Sequence, residues 1–321
     1  MNIKTKYMGL NLPGPVIVGS SSLTNSIDNM KKAEDAGAGA IVIKSLFEEQ
    51  ILTDSGRDIS SRKLHSWYPE AVKGISNYSE NQLIDHYLKL IEFGKTSLNI
   101  PILASINCIS DYEWPQFASS FEEAGANAIE LNISVSPADS SSGDEILLNI
   151  AKIISAVRDH CTIPVSVKLS PFFTNFNTAL KQIDETGIEG LVLFNRLFTP
   201  NIDIESISVT GESNLSSTSD MNTSLRWISL LSDSLKADIA GSGGVHDSEG
   251  AIKYLLAGAR AVQVTSAIMM NGFDYIGIIN NGISKWMDEK GYTSIDEFCG
   301  LIAKDISSKN QFLKIQYLRF E

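Results

Sequence analysis

The chain has 321 residues, of which 43% are hydrophobic, and its formal net charge is -12 at pH 7. This charge makes nucleic acid and an anionic membrane surface poor partners, so we expect the protein to bind neither. The three cysteines (Cys108, Cys161 and Cys299) are widely spaced and predict neither a disulfide framework nor a zinc site. The sequence carries no secretory or membrane-spanning pattern, so we expect a cytoplasmic protein.

Eight short apolar runs predict eight β-strands along the chain. They lie near residues 16–19, 40–44, 101–106, 128–132, 164–168, 190–195, 237–241 and 261–265. Nearly continuous apolar runs are typical of parallel strands that are covered on both faces. Helical patterns fill the gaps, at residues 26–36, 81–93, 114–123, 145–157 and 175–185, and a further helix follows the last strand at residues 273–290.

A short phrase recurs four times: a helix end, a glycine and then an apolar strand. The copies begin at Glu34, Glu122, Asp184 and Leu255. Repetition of this kind, with no charged or proline-rich linker between units, predicts strictly alternating strands and helices. We therefore expect an α/β fold, a single (β/α)8 TIM barrel that spans residues 1–321 as one domain. A doubly wound open sheet is the alternative.

Two of the predicted connections are too long for ordinary turns. One covers residues 46–79, after the second strand, and the other covers residues 196–223, after the sixth. Both follow the carboxyl end of a strand, and this is the end at which barrel enzymes build their active sites. Long loops in a compact domain are usually functional, so we interpret both as lids.

Glycines after the seventh strand predict a phosphate-binding loop. Gly241-Ser-Gly-Gly-Val ends that strand, and His246-Asp-Ser begins the next helix. Thr265-Ser-Ala follows the eighth strand. In barrels, phosphate binds at these two loops because glycines expose backbone N–H groups and a helix N-terminus adds positive potential. We interpret His246 as part of the helix start rather than as a catalyst.

Polar side chains end five other apolar strands. A buried lysine or asparagine costs free energy unless it finds a partner, so their convergence predicts a bound polar, aromatic or anionic group at the barrel mouth. The alternative is that they cap the strands and pair with loop acids. The residues are Lys44, Asn107, Asn132, Lys168 and the pair Asn195-Arg196.

At these residues the chain resembles the dihydroorotate dehydrogenase flavoprotein family. The likeness is to the class 1 type, and most closely to the branch of dihydroorotate dehydrogenase-like proteins. The stretches that carry it cover nearly the whole chain in the right order. They are Pro15-Val-Ile-Val-Gly-Ser-Ser-Ser, Ile43-Lys-Ser, Glu130-Leu-Asn-Ile-Ser, Val167-Lys-Leu-Ser-Pro, Phe194-Asn-Arg, Gly241-Ser-Gly-Gly-Val and Val264-Thr-Ser-Ala.

The resemblance implies a bound FMN and hydride transfer between flavin N5 and a small polar, pyrimidine-like or anionic substrate. Lys168 would lie at the pyrimidine edge of the ring, where it would stabilise negative charge on the reduced flavin. The implied phosphate ligands are Gly243, Gly244, Thr265 and Ser266, and the residues implied near the ring are Ser20, Ser21, Lys44 and Lys168. Asn132 and Asn195 would bond to flavin or substrate, with Asn107 and Arg196 as further substrate contacts.

Three departures from the family pattern fall on the substrate side. The class 1 cysteine base is absent from Asn132-Ile-Ser-Val-Ser-Pro, where Ser134 or Ser136 could replace it. Ser76-Asn-Tyr-Ser-Glu-Asn replaces the family's substrate-binding stretch, and Arg196 replaces a small hydroxyl residue. Arg196 would clamp a carboxylate or phosphate, or pair with a loop acid. The candidate catalytic residues are Ser134, Ser136 and Lys44.

Two alternatives to this enzyme stay open from the sequence. One is a flavin-free, phosphate-binding barrel lyase or aldolase with Lys44 or Lys168 as a Schiff-base nucleophile. The other is a non-catalytic FMN-binding protein, which the missing cysteine favours. For the enzyme, we expect a soluble electron acceptor such as fumarate or a separate reductase subunit, and family members of this type are commonly homodimers.

Overall fold

The computed structural model describes residues 1–47, 80–108, 114–133, 141–196, 200–211 and 215–314. The strands of these residues are β1 (Thr5–Tyr7), β2 (Leu10–Leu12), β3 (Val16–Val18), β4 (Ala40–Val42), β5 (Leu46–Phe47), β6 (Ile102–Cys108), β7 (Ala128–Ile133), β8 (Val165–Leu169), β9 (Gly190–Leu193), β10 (Pro200–Asp203), β11 (Ser208–Gly211), β12 (Asp238–Ser242) and β13 (Ala261–Val264).

The helices follow the strands in regular alternation. They are α1 (Ile27–Asp35), α2 (Glu80–Ser97), α3 (Trp114–Ala124), α4 (Gly143–Arg158), α5 (Phe176–Asp184), α6 (Met221–Leu231), α7 (Ser248–Ala257), α8 (Ser266–Asn271), α9 (Tyr275–Lys290), α10 (Leu301–Lys304) and α11 (Ile306–Leu313). None of the helices in the described residues is long and apolar enough to cross a membrane.

Eight of the strands close into a parallel barrel. Their order around it is β3, β4, β6, β7, β8, β9, β12 and β13, and β13 pairs with β3 to close the ring. Each strand lies within a residue or two of its predicted position. The predicted TIM barrel is therefore confirmed, and the doubly wound open sheet is wrong because an open sheet has two unpaired edges.

The two long connections differ in what the structure describes of them. Most of the first, residues 48–79, lies outside the described residues, and only β5 at its start extends the sheet beside β6. The second contains an antiparallel hairpin of β10 and β11, with Ile202 opposite Val209. The sequence did not predict this hairpin, because its serine, threonine and asparagine content is typical of an irregular loop.

Local side-chain bonds fix several helix starts, each within about two residues of its predicted position. The side chains of Ser26, Ser142 and Asp247 accept hydrogen bonds from backbone N–H groups of α1, α4 and α7. The Glu145 carboxylate in turn accepts a hydrogen bond from the backbone N–H of Ser142, which completes a capping box. At the other end of α7, Gly258 adopts the left-handed conformation that suits a residue without Cβ.

A short N-terminal hairpin, β1 and β2, seals the bottom of the barrel. Tyr7, Met8 and Leu12 are at most 2% exposed and pack against the lowest inward-facing side chains of the strands, such as Ala128 and Ala261. The backbone N–H of Met8 donates to Asp238 Oδ2 at 2.9 Å. The turn holds Met8 and Gly9 at positive φ, as a type I′ hairpin requires. The inside of the barrel is thus closed from below.

Tyr7→Ala is expected to destabilise the protein by about 3–5 kcal/mol, because it removes a large side chain from a site that cannot collapse. The comparison variant is Lys6→Ala, one residue away on the exposed face of the same strand. Urea unfolding of the two variants measures the difference, and equal midpoints would show that the hairpin does not contribute as a plug.

Candidate functional site

Three polar side chains form a row at the upper end of the barrel. Asn107 on β6, Asn132 on β7 and Lys168 on β8 are register partners on neighbouring strands, so they face the same way. That way is inward, since Leu103 and Ala128, at the same phase of these strands, lie inside the barrel. The three residues are 0%, 9% and 8% exposed. The structure therefore brings together three of the predicted strand-end residues in one buried layer.

The two asparagines of this row differ in their partners. Asn132 Oδ1 accepts a hydrogen bond from Asn195 Nδ2 at 3.0 Å, which adds a fourth predicted residue to the cluster. The Asn107 amide has no hydrogen-bond partner for either its nitrogen or its oxygen among the residues the structure describes. A buried amide without partners costs about 1–3 kcal/mol. Among the described residues, the Asn107 amide is therefore available to a bound molecule.

Lys168 is held from below by two side chains whose role the sequence did not predict. Its Nζ donates to Gln263 Oε1 at 2.9 Å and lies 3.9 Å from Glu130 Oε1. Gln263 Nε2 in turn donates to Glu130 Oε2. Both partners interrupt otherwise apolar strands, and that interruption was the available signal. The buried ammonium is thus compensated inside the barrel, just beneath the mouth.

Burial raises the pKa of Glu130 above its ordinary value of 4.5, and Lys168 and Gln263 offset only part of that shift. The folded protein therefore holds this proton to a higher pH than the unfolded chain does. Above a pH of about 4.5, the free energy of unfolding falls as pH rises toward the folded-state pKa. Glu130→Gln cannot titrate, so its stability relative to wild type is expected to increase across this window. Urea unfolding at several pH values checks this, and parallel profiles would contradict it.

A chain of hydroxyl groups links the ends of β3 and β4 to β6, the strand that carries Asn107. Ser20 Oγ is 3.0 Å from Ser45 Oγ, which is 2.7 Å from Ser105 Oγ. The backbone N–H of Ser105 donates to the hydroxyl of Tyr87 at 2.7 Å. Ser21 instead caps a local turn, where its Oγ accepts from the N–H of Leu23. Ser45 and Tyr87 were not predicted, since nothing in their own segments shows that these hydroxyls meet.

The predicted phosphate loop has the backbone shape that an anion cradle needs. Gly243 and Gly244 have φ values of 90° and 71°. A Cβ on Gly244 would lie 2.5 Å from the backbone nitrogen of Met221, where α6 begins. The loop is anchored by Tyr254, whose hydroxyl donates to the carbonyl of Gly243 at 2.8 Å. Adjacent backbone N–H groups at positive φ are typical of anion-binding loops.

A third segment joins the two predicted phosphate loops. The N–H of Ser216 donates to Ser266 Oγ at 2.9 Å, and Ser216 Oγ is 3.1 Å from His246 Nε2. His246 is thus bonded within the loop, in line with its interpretation as a helix-start residue. Thr265 lies directly beneath Gly19, where an added Cβ would come 2.7 Å from Thr265 Oγ1. The loops after β3, β12 and β13 therefore meet closely.

The remaining predicted residues are less central or lie outside the described part of the chain. Lys44 is partly exposed at the end of β4. Arg196 Nη2 donates to the carbonyl of Leu215 at 2.8 Å, and its Nε lies 3.9 Å from Asp220 Oδ2. Both contacts tie the end of β9 to the segment before α6. Ser134 and Ser136 lie outside the described residues.

Comparisons with known proteins agree on one family. Residues 2–287 match the model of the family described as dihydroorotate dehydrogenase. The chain is 29% identical over 307 residues to the catalytic subunit of dihydroorotate dehydrogenase B (NAD(+)) of Methanothermobacter thermautotrophicus, covering 93% of this chain and 98% of the relative. It is 30% identical over 300 residues to the subunit of the same name from Methanosarcina acetivorans, with 91% and 94% covered.

Two further similarities are more distant. The chain is 25% identical over 324 residues to the NAD-dependent dihydropyrimidine dehydrogenase subunit PreA of Escherichia coli, covering 95% of this chain and 78% of that protein. The crystal structure of an Eimeria tenella DHODH in complex with ferulenol has a TM-score of 0.70 at 16% identity, covers 95% of this chain and 89% of that one, and supports the fold. With a barrel, an inward-facing polar row and a family match over most of its length, the chain belongs to the dihydroorotate dehydrogenase family of flavoprotein oxidoreductases.

Proposed function

We propose that the protein binds FMN at the barrel mouth and transfers hydride between the flavin and a small polar, pyrimidine-like or anionic substrate, at a CH–CH bond. The observation that carries this proposal is the buried Lys168 ammonium in register with the Asn132 and Asn107 amides. A cation beside amide donors and acceptors matches the edge of a flavin ring or a cyclic amide. Membership of an oxidoreductase family leaves the flavin-free lyase or aldolase without support.

The residues present fit the cofactor at both of its ends. At the phosphate end, Gly243 and Gly244 have positive φ, and the neighbouring loop brings Thr265 and Ser266 alongside. At the ring end, the Asn107 amide has no hydrogen-bond partner among the described residues, and Gln263 holds the Lys168 ammonium from below. Ser20, Ser21 and Lys44 would line the ring on the side of β3 and β4.

When bound, FMN supplies the hydride-accepting atom of the reaction. Lys168 would place a fixed positive charge against the negative charge that develops on the reduced ring. The Asn132–Asn195 pair, joined at 3.0 Å, would orient the amide of substrate or ring. Asn107 and Arg196 would contact the substrate, although Arg196 would have to keep or exchange its contacts to Leu215 and Asp220.

The proton step needs a base in place of the family cysteine. Ser134 and Ser136 are our candidates, and a serine acts as a base near neutral pH only with a partner that takes its proton. If neither serves, the protein would work in the direction of reduction, with solvent or a residue of a loop supplying the proton. A non-catalytic FMN-binding protein is the second candidate, and the run Asn132-Ile-Ser-Val-Ser without cysteine favours it.

We also propose a separate partner subunit for electron transfer. The relatives from Methanothermobacter thermautotrophicus and Methanosarcina acetivorans are named as catalytic subunits of an NAD(+) enzyme, and the Escherichia coli relative is likewise a subunit of an NAD-dependent one. A chain of the same family and length would receive or pass on its electrons through such a partner. The cytoplasm is the compartment that suits an NAD-linked, acidic protein.

The absorbance spectrum of the purified protein, before and after anaerobic addition of dihydroorotate, tests the proposed function. A flavin spectrum that bleaches supports an active base and this substrate. The flavin spectrum could instead stay unchanged with dihydroorotate and bleach with another dihydropyrimidine. That result supports the proposed enzyme but assigns it a different substrate. Flavin that no donor reduces favours the non-catalytic candidate. A protein that binds no flavin after reconstitution with FMN would overturn the proposal.

A further inference from the structure

A buried carboxylate lies one layer deeper in the barrel than the proposed flavin contacts. Glu130 precedes Asn132 by two residues on β7 and is 0% exposed, as are its register partners Ser105 and Ser166. It therefore lies below the layer that would meet a ligand. Its contacts run upward, to Gln263 and to Lys168.

The Gln263 side chain connects the carboxylate to the lysine. An amide has one acceptor end and one donor end, while an ammonium group only donates and an ionised carboxylate only accepts. Gln263 can present its oxygen to Lys168 Nζ, at 2.9 Å, because its nitrogen has Glu130 Oε2 as an acceptor. A flipped amide would turn its N–H groups toward the ammonium and leave Glu130 without a donor. Lys168 and Glu130 thereby favour the same amide orientation, and Glu130 anchors its nitrogen end.

We infer that Glu130 is a positioning residue for flavin reduction: by accepting from Gln263 it fixes the amide that holds the Lys168 ammonium at the barrel mouth. This inference rests on the proposed function. Its measurable consequence is the reduction potential of the bound flavin, since a lysine held in place favours the reduced, anionic form. A side chain that merely fills the barrel would alter stability and leave that potential unchanged.

The test compares Glu130→Gln with Glu130→Leu in the FMN-loaded protein. The glutamine variant keeps an oxygen that accepts from Gln263, so its reduction potential is expected to stay near the wild-type value. The leucine variant removes the acceptor, so the Gln263 amide loses the contact that anchors its nitrogen end and can move away from Lys168. Its ratio of affinities for reduced and oxidised flavin is expected to fall about tenfold, which lowers the two-electron potential by about 30 mV.

The matched control is Asp184→Asn, at another buried carboxylate. Asp184 is 5% exposed and accepts from the backbone N–H groups of Lys236 and Ala237, away from the barrel mouth. This variant is expected to keep the wild-type potential whatever its stability. Potentials are measured by dye equilibration on the flavin-loaded fraction, so partial unfolding does not enter the result.

Two results would overturn the inference while the proposed function stands. Equal potentials in wild type and both Glu130 variants would show that the carboxyl has no influence on Lys168. Equal shifts in both variants would show that only its charge matters and not the orientation of Gln263. A wild-type protein that binds no FMN would instead overturn the proposed function and this inference with it.

Discussion

Lys168→Ala is expected to slow flavin reduction by at least about 100-fold, the effect of removing one fixed charge from a developing anion. The change also leaves Glu130 and the Gln263 oxygen buried without the ammonium that now lies 3.9 Å and 2.9 Å away. Loss of one member of a buried pair costs about 3–5 kcal/mol, so a lower melting temperature is expected too. No other lysine of the described residues is buried to this degree.

The measurement is the rate of flavin bleaching by an excess of reducing substrate in a stopped-flow instrument, at full FMN loading. Lys181→Ala, at an exposed position of α5, controls for the loss of a positive charge from the protein surface. Wild-type reduction kinetics in Lys168→Ala, with FMN binding also intact, would refute the assigned role of the lysine. A variant that loses FMN but keeps its fold still supports placing Lys168 at the flavin.

Gly244→Ala is expected to weaken FMN binding by at least tenfold, or about 1.4 kcal/mol. Two separate costs contribute. The position has a φ of 71°, where an alanine costs about 1–2 kcal/mol. The new Cβ would also lie 2.5 Å from the nitrogen and 2.8 Å from the Cβ of Met221. The start of α6 therefore has to move away from the phosphate loop.

Gly243→Ala is the natural comparison for this variant. Its φ of 90° carries a similar conformational cost, but the nearest atom to an added Cβ is the carbonyl oxygen of Asp220 at 3.8 Å. A smaller loss of FMN affinity is therefore expected. Each apoprotein is titrated with FMN and with riboflavin, which lacks the phosphate. The difference between the two affinities measures the contribution of the phosphate end. If Gly244→Ala weakened the binding of riboflavin as much as the binding of FMN, the loop would not be the phosphate site.

The barrel could be predicted from the sequence because its determinants are local and repeated. Each of the four copies of the phrase closes a helix and opens a strand within about ten residues, and the strand ends then define one mouth. The row of Asn107, Asn132 and Lys168 followed from the same counting. Residues that end neighbouring parallel strands must lie side by side.

The side chains that hold Lys168 in place could not be predicted in the same way. Gln263 and Lys168 are 95 residues apart, and Gln263 and Glu130 are 133 apart, so no local pattern joins them. The N-terminal hairpin escaped notice for a different reason. Its turn is Met8-Gly9 rather than the Asn-Gly or Asp-Gly that usually marks a type I′ turn, and its strands are only three residues long.

The plug formed by that hairpin also sets an order of events during synthesis. Met8 bonds to Asp238 and Thr5 to the carbonyl of Arg260, partners that are 230 and 255 residues further along the chain. Residues 5–12 thus leave the ribosome long before β12 and β13 exist to receive them. At about 5–20 residues per second, synthesis of the intervening residues takes about ten seconds or more, and Tyr7, Met8 and Leu12 keep their apolar surface uncovered for that time. A chain that stops short of β13 has no closed barrel to cover these side chains, and this exposed apolar surface makes such nascent fragments prone to aggregate.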